Sequence, residues 1–284
     1  MKVLVLGAGG MAGHIISVYL TEKNHEVIGF ARRPLSFCDT VIGDALNQEL
    51  LRELISENHF DCVINAVGSL NQEAEQNKAN AVYLNSFLPH FLACITKDMN
   101  TRLIHISTDC VFSGKKGNYE EADFTDATSF YGRTKALGEV VDDKNLTIRT
   151  SIIGPDINSN GIGLFHWFMN QKDTVNGYKN VLWTGVTTLT LAEAILELYE
   201  KNTTGLYHLV NSEKISKLDL LNLFNRYFRN DSIKIKERED VISDKSLIGN
   251  RELFHVPTYE EMIKELKEWV DAHPNLYHYD GGCV

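Results

Sequence analysis

The sequence predicts an α/β protein, a doubly wound parallel sheet with a smaller C-terminal α/β lobe. Three observations predict it. Short apolar runs alternate with helical stretches through the first half of the chain. A glycine cluster, Gly7-Ala8-Gly9-Gly10-Met11-Ala12-Gly13, follows the first apolar run and opens the first helical stretch. The length of 284 residues leaves room for one sheet domain plus a lobe, at roughly 150 residues per domain.

Each element has its own pattern. Residues 3–6 form a continuous apolar run, as expected of a strand buried on both faces. Residues 14–22 read as helix, 27–30 as the second strand and 41–42 as a short third. Residues 48–57 are helical, 62–65 a strand, 79–97 one long helix and 103–106 a strand. Residues 129–141 read as helix and 146–149 as strand. This alternation implies parallel pairing with right-handed crossovers. Past residue 150 the rhythm loosens. Helices are expected at 164–170, 191–201 and 218–227, and strands at 206–209 and 233–235. Thr258 and Glu261 make a capping box for a last helix that ends near Ala272. The tail 277–284 is expected to fray.

Composition excludes several function classes. Twenty-eight basic against 38 acidic residues give a formal charge of −10, and no basic cluster offers a nucleic-acid footprint. No apolar run approaches the ~18 residues that span a bilayer, so no membrane association is expected. Residues 1–6 begin like a signal peptide, but the apolar run stops at the glycines, too short for its hydrophobic region. Cys38, Cys62, Cys94, Cys110 and Cys283 are scattered, odd in number and free of CxxC pairs. That usage fits a reducing, cytoplasmic setting.

The glycine cluster combines Gly7, Gly10 and Gly13 with a further Gly9. Between a strand and a helix, such a turn lets backbone approach a pyrophosphate. The helix N-terminus then offers free N–H groups to the phosphates. Residues 1–150 are therefore read as a Rossmann-type NAD(P)-binding domain. Residues 151–284 are read mainly as a substrate-binding lobe, with some later segments returning to the first domain. Gly7, Gly9, Gly10, Met11 and Gly13 are its cofactor-binding candidates. The second strand is followed by Arg32 and Arg33, where NAD-binding sheets usually carry a carboxylate for the ribose hydroxyls. Two guanidinium groups suit a 2′-phosphate, which favours NADP(H) over NAD(H). Asp44 either accepts from the adenine amino group or caps the next helix.

Chemistry is expected further on. Tyr131 and Lys135 are four apart on an expected helix, so phenol and ammonium share a face. A neighbouring cation is expected to lower the phenol pKa from its usual value near 10, tuning it for acid–base work. Ser107-Thr108-Asp109 follows the 103–106 strand, and a hydroxyl there could bond a carbonyl oxygen as it gains charge. Both segments close strands at the carboxyl edge of the sheet, where open α/β folds bind ligands.

These residues together, with Asn65-Ala66 and Ser107-Thr108-Asp109-Cys110-Val111-Phe112, resemble the extended short-chain dehydrogenases/reductases. Within them the sequence is most similar to the dTDP-4-dehydrorhamnose reductase group. That group's Ser-Thr-Asp-Tyr-Val-Phe segment is matched at all but one position. The resemblance covers the first 150 residues well and continues more loosely through Arg149-Thr150-Ser151 and residues 185–197. It implies an NAD(P)H-dependent reductase of a nucleotide-linked 4-keto-6-deoxyhexose, serving cell-surface polysaccharide synthesis. Thr108 would polarise the ketone and Tyr131 would protonate the alkoxide. Lys135 would hold the nicotinamide ribose. Ala66 and Val67 would line the cofactor, and Asn85 would prop the site. Asp109, Cys110, Thr150, Ser151 and Thr187, with Thr188 beside it, are substrate-side candidates; the threonines and serine are otherwise ordinary loop and cap residues. A monomer or homodimer is expected.

Two departures from the group's pattern matter. Cys110 replaces its tyrosine. In the related GDP-fucose synthases a cysteine at this place acts in epimerisation with a distant histidine, for which His166 is the candidate. That makes a bifunctional 3,5-epimerase/4-reductase the alternative; Cys110 is otherwise a small buried hydrophobe. His14 follows Gly13 where some members carry a metal-binding glutamate, so no metal site is expected. A third reading is a non-catalytic NADP-binding regulatory subunit, like the beta subunit of methionine adenosyltransferase. The intact Thr108, Tyr131 and Lys135 count against it.

Overall fold

The structure is a computed structural model that describes residues 1–279. Its centre is a sheet of β1 (Lys2–Leu6), β2 (Glu26–Ala31), β3 (Asp39–Ile42), β4 (Cys62–Asn65), β5 (Arg102–Ile106) and β6 (Leu146–Arg149), joined by strand Gly205–His208. The spatial order is Gly205–His208, β6, β5, β4, β1, β2, β3, and every pair is parallel. The strand order reverses between β1 and β4. Loops leaving these two strands diverge there and open a crevice at their carboxyl ends.

Alternate side chains of β1 enter two separate cores, which explains its unbroken apolar run. Val3 and Val5 join the core formed with α1 (Met11–Glu22), helix Thr188–Glu200 and much of the lobe. Leu4 and Leu6 join the core under α2 (Gln48–Asn58) and helix Leu88–Ile95. The doubly wound parallel sheet is thus observed as expected. Strand Gly205–His208 and helix Thr188–Glu200 return from the second half to the first domain. The lobe adds three small sheets. Ile152–Ile153 pairs with Val186–Thr187, and Val175–Tyr178 with Ile235–Arg238. Val181–Trp183 lies between Ile215–Ser216 and Ser243–Asp244.

Three expectations need correction. The long helix over 79–97 is instead Lys78–Val82, a π-turn at Tyr83–Phe87 and Leu88–Ile95. Pro89 has no N–H to give, and its ring crowds the carbonyl four residues back, at Asn85. The wider π-turn absorbs that clash. The helix expected over 129–141 spans only Phe130–Leu137, capped by the Ser129 hydroxyl on the Gly132 N–H at 3.1 Å. The tail was expected to fray from residue 277. Tyr277 is instead buried, with its hydroxyl bonded to both His14 and Trp269. Residues 280–284 of that tail, with Cys283, lie outside the described residues. The last helix, Tyr259–Ala272, carries the expected capping box.

Candidate active site

The turn after β1 depends on two glycines. Gly7 adopts φ +80°, a region side chains disfavour, and a Cβ on it would also meet the Ala66 carbonyl at 3.2 Å. Gly13 lies one turn into α1, where a Cβ would fall 2.1 Å from the Gly7 oxygen. Gly13 therefore packs the helix onto the loop and does not line the crevice. Gly7, Gly9 and Gly10 do line it, with Arg32, Arg33, Asp44, Ala66 and Val67. The crevice holds about 1110 Å³. Asp44 accepts from the Leu46 N–H at 3.0 Å, while Asn47 caps α2. Met11 does not line the crevice; its sulfur packs beside Gly163.

The lobe covers the outer side of this crevice, which sequence reasoning missed. Asn158 donates to the Gly9 carbonyl at 2.9 Å and accepts from Arg33 at 3.5 Å. Asn275, Leu276 and His278 also line it. His14 explains part of this packing. Its Nδ1 lies 2.9 Å from the Gly10 carbonyl and its Nε2 2.9 Å from the Tyr277 hydroxyl. Since a carbonyl only accepts, the proton sits on Nδ1. Burial pushes the His14 pKa down to about 4.

At the carboxyl ends of β5 and β6 the three catalytic candidates are buried together. The Thr108 hydroxyl accepts from the Cys110 N–H and donates to Asp109 Oδ1, both at 3.1 Å. The same hydroxyl acts to lower the Tyr131 pKa, against the larger effect of burial. Lys135 Nζ donates to the Ile106 carbonyl at 2.7 Å and lies 3.3 Å from His105 Nε2. Burial lowers the Lys135 pKa to about 8, against the opposing charge of Glu139. The expectation that a cation lowers the Tyr131 pKa is corrected here. Burial raises it above its usual value, and the neighbouring Cys110 adds to the rise. Lys135 is held on β5 and does not offset this. Tyr131 is thus a protonated phenol, the acid form.

Asn85, in the π-turn, does not line the crevice. Its amide accepts from the Ser69 N–H at 2.8 Å and donates to the Ser69 carbonyl at 2.9 Å and the Thr134 hydroxyl at 3.0 Å. It ties the segment after β4 to the helix that carries Tyr131 and Lys135. Its effect on the site is through position.

The substrate-side candidates divide. Asp109 and Cys110 adjoin Thr108 and face the lobe, where Lys245 Nζ lies 3.5 Å from Cys110 Sγ. Lys217 was not anticipated. It sits 4.8 Å from the Trp183 ring centre, and burial lowers its pKa to about 8 against the charge of Asp109. Lys217 opens a helix and Lys245 lies in irregular chain, and a single lysine in either place carries no pattern that would have flagged it. Thr150 is buried with its carbonyl on the Asp109 N–H, and the Ser151 carbonyl accepts from Val186. Thr187 is a helix cap, its hydroxyl taken by the Thr190 N–H at 3.1 Å. Thr188 is the first residue of that helix. Burial pushes the Cys110 thiol up to about 11, so it stays protonated. His166 is not brought to Cys110 by any hydrogen bond. Its nitrogens lie 3.2 Å from the Tyr279 hydroxyl and the Ser159 carbonyl.

Comparison with known proteins identifies the family. The family model described as RmlD substrate binding domain matches residues 1–243. A probable low-salt glycan biosynthesis reductase from Haloferax volcanii is 30% identical over 232 residues, 77% of each chain. A dTDP-4-keto-6-deoxy-D-glucose reductase from Streptomyces niveus is 25% identical over 281 residues, 95% of this chain and 94% of that one. The crystal structure of a hypothetical dTDP-4-dehydrorhamnose reductase from Sulfolobus tokodaii superposes with a TM-score of 0.76 at 28% identity, covering 90% of this chain and 98% of its own. The resemblance read from the motifs is borne out, and the chain belongs to the RmlD family of sugar-nucleotide reductases.

Proposed function

We propose that the chain reduces the 4-keto group of a nucleotide-linked 4-keto-6-deoxyhexose, as a cytoplasmic monomer or homodimer supplying cell-surface polysaccharide precursors. One observation carries the reading. Thr108, Tyr131 and Lys135 are buried together at the carboxyl edge of a sheet whose crevice is built for a dinucleotide. The names of the relatives, reductases of dTDP-sugars and of glycan synthesis, support it.

The crevice residues fit a nicotinamide dinucleotide. The loop at Gly7, Gly9 and Gly10 has no side chain to block a pyrophosphate, and α1 starts there with free N–H groups. Arg32 and Arg33 line the crevice past β2 and favour the 2′-phosphate of NADP(H). When bound, the dinucleotide supplies a hydride. Thr108 offers its hydroxyl to the ketone oxygen as that oxygen gains charge. Tyr131 gives its phenolic proton to the same oxygen. Lys135, anchored on the Ile106 carbonyl, would hold ribose hydroxyls of the dinucleotide. The protonated Cys110 thiol and the engaged ring of His166 give the epimerase alternative no base.

The test is NADPH consumption with a dTDP-4-keto-6-deoxyhexose made in situ by its dehydratase, with and without a separate 3,5-epimerase. Turnover that needs the epimerase makes the chain a plain reductase. Turnover without it, giving a 3,5-epimerised product that Cys110→Ser abolishes, would favour the bifunctional reading. NADPH binding with no turnover on any keto-sugar nucleotide would favour the regulatory reading.

A further inference from the structure

His105 is a histidine on a central strand, fully buried, and the reaction as derived makes no use of it. It stands opposite Asn65 in the β4–β5 register. Asn65 ends β4, and Ala66 and Val67 directly after it line the crevice. Asn65 Oδ1 accepts from the Val67 N–H at 3.1 Å. That bond fixes which way the amide points, because a backbone N–H needs an acceptor. Asn65 Nδ2 therefore faces His105 Nδ1, at 3.2 Å, and donates to it. A ring nitrogen that accepts carries no proton, so the His105 proton sits on Nε2. Nε2 lies 3.3 Å from Lys135 Nζ.

The consequence is a matter of donors and acceptors. An ammonium has three N–H groups and no lone pair. Facing the His105 N–H, it would set donor against donor. An amine keeps a lone pair for that N–H and still donates to the Ile106 carbonyl at 2.7 Å. We propose that His105 is a positioning residue whose Nε2 proton, oriented through Asn65 by the Val67 N–H, governs the protonation state of Lys135. Val67 lines the dinucleotide crevice, so the chain runs from the crevice wall to the lysine. The other charged groups around the pair are few. Glu139, itself held by Arg149 and the Ser107 hydroxyl, favours the Lys135 ammonium. Burial acts against a charged His105, and Lys135 and His90 add to this. The catalytic meaning of the device rests on Tyr131 and Lys135 being the proton-transfer pair proposed above; the device itself does not.

The experiment reads Lys135 directly and needs no substrate. The protein is labelled with 15N-lysine, and the Lys135 Nζ resonance is assigned by its loss in Lys135→Met. Its passage from ammonium to amine is then followed against pH. The wild-type midpoint is expected near pH 8. Asn65→Asp supplies an oxygen to both the Val67 N–H and His105 Nδ1, which moves the imidazole proton to Nδ1. Nε2 then accepts from the ammonium, and the midpoint rises by about one pH unit, a tenfold gain in proton affinity. Asn65→Asp with His105→Phe keeps the new charge but has no ring nitrogen, so most of the rise is lost. His105→Gln brings an amide oxygen within reach of Nζ without new charge and also raises the midpoint; it carries the test if Asn65→Asp does not fold. An unchanged midpoint in both Asn65→Asp and His105→Gln would overturn the proposal. So would an equal rise in the Asn65→Asp/His105→Phe double variant, which would mark a through-space charge effect. Absence of any keto-sugar turnover in the wild type would count against the proposed reaction and leave this titration readable.

Discussion

Tyr131 and Cys110 keep their protons for the same reason: burial disfavours the charged form, and for the thiol the nearby Lys245 offsets only part of it. For the phenol this yields a general acid ready for a newly formed alkoxide. Tyr131→Phe is expected to lower turnover by about 10²–10⁴-fold, with NADPH binding by fluorescence titration retained. For the thiol it removes a base. Cys110→Ser is expected to keep turnover within about twofold and leave product stereochemistry unchanged, as checked by NMR of the product. Arg33→Ala removes one of the two guanidinium groups at the crevice rim. It is expected to weaken NADPH binding by about tenfold while leaving NADH binding nearly unchanged. The residues that carry a spacing, Tyr131 with Lys135 and the glycines with β1, are legible in the amino-acid sequence alone. His105, Lys217 and Lys245 are not, nor is the partner that Asn65 faces. Their importance comes from what faces them across strands or from the lobe, and no local pattern records that.

At the scale of elements, the π-turn at Tyr83–Phe87 joins the two halves of the site. Its Asn85 spans from Ser69, beside the crevice, to Thr134, next to Lys135. Asn85→Ala would leave the Ser69 N–H and carbonyl buried without partners, at a cost of about 1–3 kcal/mol. A lower Tm and a weaker NADPH affinity are the expected outcomes, read by thermal melting and titration. Thr258→Ala, in contrast, removes only the cap of the last helix. It is expected to cost about 1 kcal/mol in denaturant unfolding with no change in turnover. Strands and amphipathic helices of the first half were legible because burial on one or two faces imposes a period on the sequence. The π-turn was hidden because Val82, Leu84 and Leu88 keep a helix-like pattern through it. The lobe's strands are two to four residues long, too short to show an alternation.

Across the whole molecule, lobe and sheet are joined by buried neutral histidines. His14 links the glycine loop to Tyr277, and Trp269 donates to the same hydroxyl at 3.0 Å. His208 on the last sheet strand binds the Ile248 carbonyl at 2.8 Å. Burial lowers both pKa values from 6.5 to about 4. Between those values the unfolded chain binds the extra protons, so stability rises with pH through this window and is complete above it. Glu193, raised by burial from 4.5 to about 7, pulls the other way over much of the same range. Its carboxyl and that of Glu265 are set against the lowered imidazoles of His14, His208, His105 and His25. The Tm is therefore expected to fall as pH drops from about 6.5 toward 4. His14→Gln should show a shallower fall in the same scans, because one of the lowered rings is gone. The doubly wound sheet was foreseeable from the order of elements alone. The closure of the lobe over the crevice was not, since Asn158 and the segment around Tyr277 meet the glycine loop only in three dimensions.

The central claim is that Thr108, Tyr131 and Lys135 work with a nicotinamide dinucleotide on a keto-sugar nucleotide. Its most direct test follows the absorbance of NADPH with dTDP-4-keto-6-deoxyhexose in wild type and Tyr131→Phe, each first shown to bind NADPH. Consumption by the wild type and its near-complete loss in the variant are expected. Equal consumption by both proteins, or none by a wild type that binds NADPH and is offered every keto-sugar nucleotide, would contradict that claim.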